Sequence, residues 1–111
     1  MADKKIFFVT LFFLSIGTEI LAQTGSIKGN VLDTDTKEAL IGASVAIQGT
    51  TLGAATDLNG DYTILNVPPG TYTLEASYIS YQPVTKQQIV VEKGKETVVD
   101  FLLQAKGISL K

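Results

Sequence analysis

Residues 49–72 read Gly49-Thr50-Thr51-Leu52-Gly53-Ala54-Ala55-Thr56-Asp57-Leu58-Asn59-Gly60-Asp61-Tyr62-Thr63-Ile64-Leu65-Asn66-Val67-Pro68-Pro69-Gly70-Thr71-Tyr72. The stretch holds two turn signals with a strand between them. Asn59-Gly60 suits a two-residue type I′ hairpin, because both central residues need positive φ, which Asn tolerates and Gly adopts at no steric cost. Residues 62–65 are therefore expected to pair back onto residues 51–56. Pro68 and Pro69 cannot donate to a ladder, and Gly70 is free to take the positive φ that closes a second turn.

Working outward, residues 24–32 alternate Ile27, Gly29 and Val31 against Ser26, Lys28 and Asn30, the period-2 pattern of a half-buried strand. A polar loop over 33–38 follows, and a second strand is expected over 43–47, with Ala43, Val45 and Ile47 on one face. Tyr72, Leu74, Ala76 and Tyr78 alternate with Thr73, Glu75 and Ser77 in the cleanest strand pattern of the chain. Residues 85–91 are strand-like with ambiguous facing: Val84 and Val90 favour one register, Ile89 and Val91 the other. A last strand over 97–103 puts Val99, Phe101 and Leu103 on one face and Asp100 on the opposite one. Seven short strands with turns between them predict an all-β, antiparallel sandwich, with a barrel as the competing architecture.

The chain has 111 residues, room for one domain. Lys4-Lys5, an apolar run over 6–16 and a small residue at Ala22 have the layout of a secretory signal over 1–22, expected to form a helix. The run is about half the ~20 residues a spanning helix needs, so a membrane anchor is the weaker reading. The domain is then expected over 23–104, with residues 105–111 as a linker or tail. Net charge is −2 with no Arg, so no basic surface for nucleic acid is present. With no Cys, the fold must hold by packing.

Catalytic chemistry has little to start from. There is no His for acid–base work and no Cys nucleophile, and no spacing suggests a basic partner for Ser44, Ser77 or Ser80. Asp57, Asn59 and Asp61 begin like a calcium loop. However, Gly60 falls at its fourth position where the sixth should be Gly, and Pro68 stands at the twelfth in place of a bidentate Glu. Asp33, Asp35 and Glu38 read as a solvated loop. No cofactor and no metal are expected. Of the four tyrosines, Tyr62 and Tyr72 fall at core positions, and Tyr81, beside Pro83, is the candidate for an exposed contact. Carbohydrate binding finds no converging site. Protein interaction remains, through edge strands, for which residues 51–56 and 85–91 are the candidates.

The motifs Gly-Asn-Val at 29–31, Ile-Gly-Ala-Ser-Val-Ala-Ile at 41–47, Asn59-Gly60-Asp61-Tyr62, Val67-Pro68-Pro69-Gly70-Thr71-Tyr72 and Ser-Tyr-Ile-Ser-Tyr at 77–81 resemble the carboxypeptidase-regulatory-like, or transthyretin-like, domain. More narrowly, the motifs resemble the copy at the N-terminus of SusC-like TonB-dependent outer-membrane receptors. The resemblance covers residues 25–103 and implies a Greek-key β-sandwich without peptidase activity. It also implies export to the periplasmic face of the outer membrane. Partners would be the rest of a receptor and periplasmic proteins, and membrane association would come only through that receptor. No TonB box, plug or barrel is present in these residues, so they do not transport by themselves. The alternative is a free-standing secreted module that binds carbohydrate or a surface protein.

Overall fold

The structure, a computed structural model, describes residues 23–107. The expected signal helix and the end of the tail lie outside them. Eight strands form two four-stranded sheets. They are β1 (Gly25–Asp33), β2 (Ser44–Ile47), β3 (Gly53–Ala55), β4 (Asp61–Val67), β5 (Gly70–Ser77), β6 (Val84–Val91), β7 (Glu96–Val98) and β8 (Phe101–Leu103). One sheet runs β4-β1-β7 with β8 further along β1, and the other runs β3-β2-β5-β6. Alternation seats Ile27, Val31, Tyr62 and Ile64 of the first sheet against Val45, Ile47, Leu74 and Ala76 of the second, all buried. That inner layer is what holds a cysteine-free domain together.

Eight strands appear where seven are expected because the last one is interrupted at Val99-Asp100. The Val99 N–H still donates to the Lys28 carbonyl at 2.8 Å, but the Asn30 N–H turns to the Asp100 carboxylate at 3.0 Å. Register is kept across the break, Lys28 opposite Val98 and Val31 opposite Phe101. The line 96–103 also runs parallel to β1, whereas the other pairings among the described residues are antiparallel. A half-buried strand alternates in the same way whichever direction its neighbour runs, so the pattern alone does not distinguish the two.

Neither turn of the opening stretch joins two strands of one sheet, although the Asp57 N–H donates to the Asp61 carbonyl at 2.9 Å across the first of them. β4 pairs with β1, and β3 with β2, so the turn at Asn59-Gly60 carries the chain from one sheet to the other. Gly60 has φ +80°, but Asn59 is not in the left-handed region, which corrects the type I′ expectation. The link through Pro68-Pro69 returns the chain to the second sheet. There the left-handed residue is Asn66, at φ +59°, and Gly70 does not take positive φ.

The ambiguity of β6 is resolved by a β-bulge. Tyr72 faces Ile89 and Leu74 faces Lys86, so Thr73 alone meets two residues, with Gln88 at φ +61°. Val84 before the bulge and Ile89 and Val91 after it all turn toward the core, while Val90 is exposed. Each half of the strand obeys one of the two registers.

Candidate interaction surface

The 57–61 turn is organised by Asp57. Its Oδ1 accepts the N–H groups of Asn59 at 2.9 Å and Asp61 at 3.0 Å, while the Gly60 N–H donates to the Asp57 carbonyl at 3.0 Å. This carboxylate oxygen is engaged by the turn's own backbone, an Asx arrangement. Leu58 projects from the tip, 80 % exposed. At the second link the Tyr72 hydroxyl donates to the Pro68 carbonyl at 2.6 Å, bracing the Pro68-Pro69-Gly70 path against β5.

Tyr81 is not a free contact. Its ring is half-buried, tilted against Tyr78 at 5.5 Å between centroids, and its hydroxyl donates to Asp33 Oδ2 at 2.6 Å. The other oxygen, Oδ1, accepts the N–H groups of Asp35 at 2.7 Å and Thr36 at 3.0 Å. Asp33 is thus a buried hub and not part of a solvated loop. The Tyr81 hydroxyl, then the Thr36 and Asp35 amides, hold its carboxyl below the ordinary value. The same bond, with burial, raises the Tyr81 phenol.

The loop tip exposes Ile79 instead, at 82 %. Beside it a shallow depression of about 480 Å³ is lined by Gly42, Ser44, Ser77, Tyr78, Ser80, Pro83 and Lys106 among others. Residues 104–106 are tied to the same loop: the Gln82 N–H donates to the Gln104 carbonyl, and the Lys106 N–H to the Ser80 carbonyl.

Tyr62 offers no stacking platform, and Tyr72 is only partly buried, packed against the rim of the core. Tyr62 is buried with its hydroxyl on the Val99 carbonyl at 2.5 Å, and burial followed by the Asp100 charge pushes its phenol up. Thr56 is a residue that pattern reasoning missed. It is buried, its hydroxyl donating to the Leu40 carbonyl and accepting from the Ala43 N–H at 2.8 Å, and it pins the 40–43 loop to β3. A Thr at the end of a weak strand gives no local sign of such a role.

Both edges of the second sheet are the strands that the sequence singles out, β3 and β6. They differ in availability. The Thr97 hydroxyl donates to the Val90 carbonyl at 2.9 Å, and Lys86 reaches the Asp100 carbonyl at 2.5 Å with its Nζ 5.4 Å from the Phe101 ring centroid. Side-chain bonds to the first sheet therefore occupy part of β6. The bulge blunts it further, so a partner strand meets a broken edge there.

The family model for the CarboxypepD_reg-like domain matches residues 27–111. Carboxypeptidase D of Anas platyrhynchos is 41 % identical over 78 residues, 70 % of this chain and 6 % of that protein. TonB-dependent receptor SusC of Bacteroides thetaiotaomicron is 39 % identical over 92 residues, 79 % of this chain and 9 % of the receptor. The chain thus spans less than a tenth of the length of either relative. Among solved structures, a chain of an interface mutant of a type II cohesin–X-dockerin complex from Acetivibrio cellulolyticus superposes with a TM-score of 0.61 at 28 % identity. The match covers 73 % of this chain and 58 % of that one. On the family match and the two-sheet architecture together, this chain belongs to the CarboxypepD_reg-like domain family.

Proposed function

We propose that residues 23–104 are the N-terminal, periplasmic accessory domain of a SusC-like TonB-dependent outer-membrane receptor for glycans or other nutrients. Residues 1–22 act as its signal peptide, and 105–111 lead toward the rest of the receptor. The observation that carries this reading is the 39 % identity to SusC across most of the chain. Two features of the surface support a non-enzymatic role. The chain has no His, Cys or Arg, and Asp57 Oδ1 and both carboxylate oxygens of Asp33 accept from the fold's own donors. The domain's work is then structural or a matter of docking proteins, with β3 as the more open edge.

Sequencing the gene past codon 111, with immunoblotting of the source's membrane fractions, tests this. A long product in the outer membrane, with a TonB box and barrel following in frame, is the expected result. A product no longer than this chain in the soluble exported fraction would overturn it in favour of a secreted binding module. A metallopeptidase domain in frame would make the chain a peptidase accessory.

A further inference from the structure

The first and last strands of the domain lie side by side and run in the same direction. Ser26, Ile27 and Lys28 face Glu96, Thr97 and Val98, and Val31, Leu32 and Asp33 face Phe101, Leu102 and Leu103. The chain therefore enters at one end of this pairing and leaves at the other. Tension between the two ends acts along the strands and tries to slide one past the other.

Hydrogen bonds in a parallel ladder lie across that direction. All of them are loaded together and none can be opened singly. Several supports reinforce this seam. The Ser26 N–H donates to the Lys95 carbonyl at 3.0 Å at the entry end, and the Thr34 N–H to the Leu103 carbonyl at 2.9 Å at the exit. Between them, Asp100 takes the Asn30 N–H where the ladder is interrupted, and Lys28 pairs with Glu96 at 3.3 Å across the strands.

We propose that the domain is a load-bearing coupler, in which β1 and the 96–103 line form a shear clamp that keeps it folded while its two ends are pulled apart. The proposal rests on topology and not on which protein carries the domain. A clamp of this kind lets a force reach a segment beyond the domain without first unravelling it. The 104–106 segment, held to the 80–82 loop, is the outermost part and yields before the clamp does.

Single-molecule force spectroscopy on the 111-residue chain tests this, because the sequence has no native Cys to compete with introduced attachment points. Handles at Thr24→Cys and Lys106→Cys load the seam in shear. Handles at Thr24→Cys and Lys93→Cys join two positions at the same end, where the Gly94 N–H donates to the Thr24 carbonyl, and peel the strands apart. At equal loading rate the unfolding force is expected to be about twofold higher or more in the shear geometry, since forced unfolding follows the barrier and not the equilibrium stability. Equal forces in the two geometries would overturn the proposal. Asp100→Ala, an exposed substitution that removes the Asn30 contact, is expected to lower the shear force and leave the peeling force unchanged. The reverse pattern would also count against the clamp.

Discussion

The Tyr81 hydroxyl donates to Asp33 Oδ2 at 2.6 Å, joining residues 48 positions apart. The bond fastens the loop after β5 to the end of β1, and residues 104–106 are held to that same loop. A negatively charged acceptor makes it a charge-assisted bond, stronger than one between neutral groups.

Its pH dependence follows from the directions of the shifts. Asp33 has a carboxyl pKa lowered from 3.8 in the fold, so its contribution is present above that value and is lost as pH falls through the lower, folded value. Tyr81 is raised from 10.0, so its contribution is full below that value and is lost as pH rises through the higher one. Tyr81→Phe is expected to lower the melting temperature at pH 7, and the gap from wild type should narrow as the medium is acidified below 3.8. Thermal melts by circular dichroism at both pH values check this. A gap of the same size at both would mean that the phenol contributes packing and not the bond to a carboxylate.

At the 57–61 turn the weight falls on Asp57 and Gly60. Asp57→Ala removes the acceptor of two backbone N–H groups and should cost about 1 kcal/mol at this exposed site. Gly60→Ala should cost about 1–2 kcal/mol or more, from φ +80° and a Cβ placed 2.9 Å from that of Ala39. Asn59→Ala should stay within about 0.5 kcal/mol, because Asn59 is exposed and its φ is ordinary. Urea denaturation midpoints rank the three. A cost for Asn59→Ala equal to that for Asp57→Ala would show that the Asn59 side chain holds the turn as much as the Asp57 carboxylate does.

The limits of the sequence show in the same residues. Alternation correctly places Ile27, Val31, Leu74, Ala76, Val99 and Phe101 inside, because a strand with one wet face must alternate. It says nothing about which strand lies next to which. Asn59-Gly60 and Pro68-Pro69 mark places where the chain turns, but a chain that turns to a facing sheet uses much the same residues as one that turns to a neighbouring strand. Tyr81 reads as exposed because its local surroundings are polar and turn-like, whereas its position is set by a carboxylate distant in sequence. The two candidate edges were legible, since a short, weakly apolar strand and one of broken pattern are both poor candidates for the middle of a sheet.

Gly29 reports how tightly β1 lies against the break between β7 and β8. A Cβ built there would come 1.8 Å from the Val99 carbonyl oxygen, the same oxygen that accepts the Tyr62 hydroxyl. Backbone, and not a flexible side-chain end, would have to move. Gly29→Ala is expected to cost about 3 kcal/mol or more, with a loss of cooperativity in the unfolding curve as β7 and β8 detach. Gly42→Ala is the comparison: its Cβ meets nothing within 4 Å, so only the strain of φ +82°, about 1–2 kcal/mol, applies. If the two variants were equally stable, the close approach at Gly29 would have to be relieved by some easier movement.

The bulge in β6 leads to a prediction that runs against ordinary expectation for a deletion within a strand. Removing Gln88 would leave Val84, Lys86, Ile89 and Val91 on one face and Thr85, Gln87 and Val90 on the other, an unbroken alternation opposite β5. It would also remove a non-glycine residue at φ +61°, which itself costs about 1–2 kcal/mol. The deletion is therefore expected to keep the fold, with stability within about 1 kcal/mol of wild type. What it should change is behaviour at the edge. A straight β6 offers a continuous row of N–H and C=O groups where the bulged strand offers an interrupted one, so the variant should self-associate more as concentration rises. Sedimentation velocity over a concentration series measures this. A variant that stays as monomeric as wild type would show that the Thr97 and Lys86 contacts protect the edge, and one that unfolds would show that the bulge is required for the core.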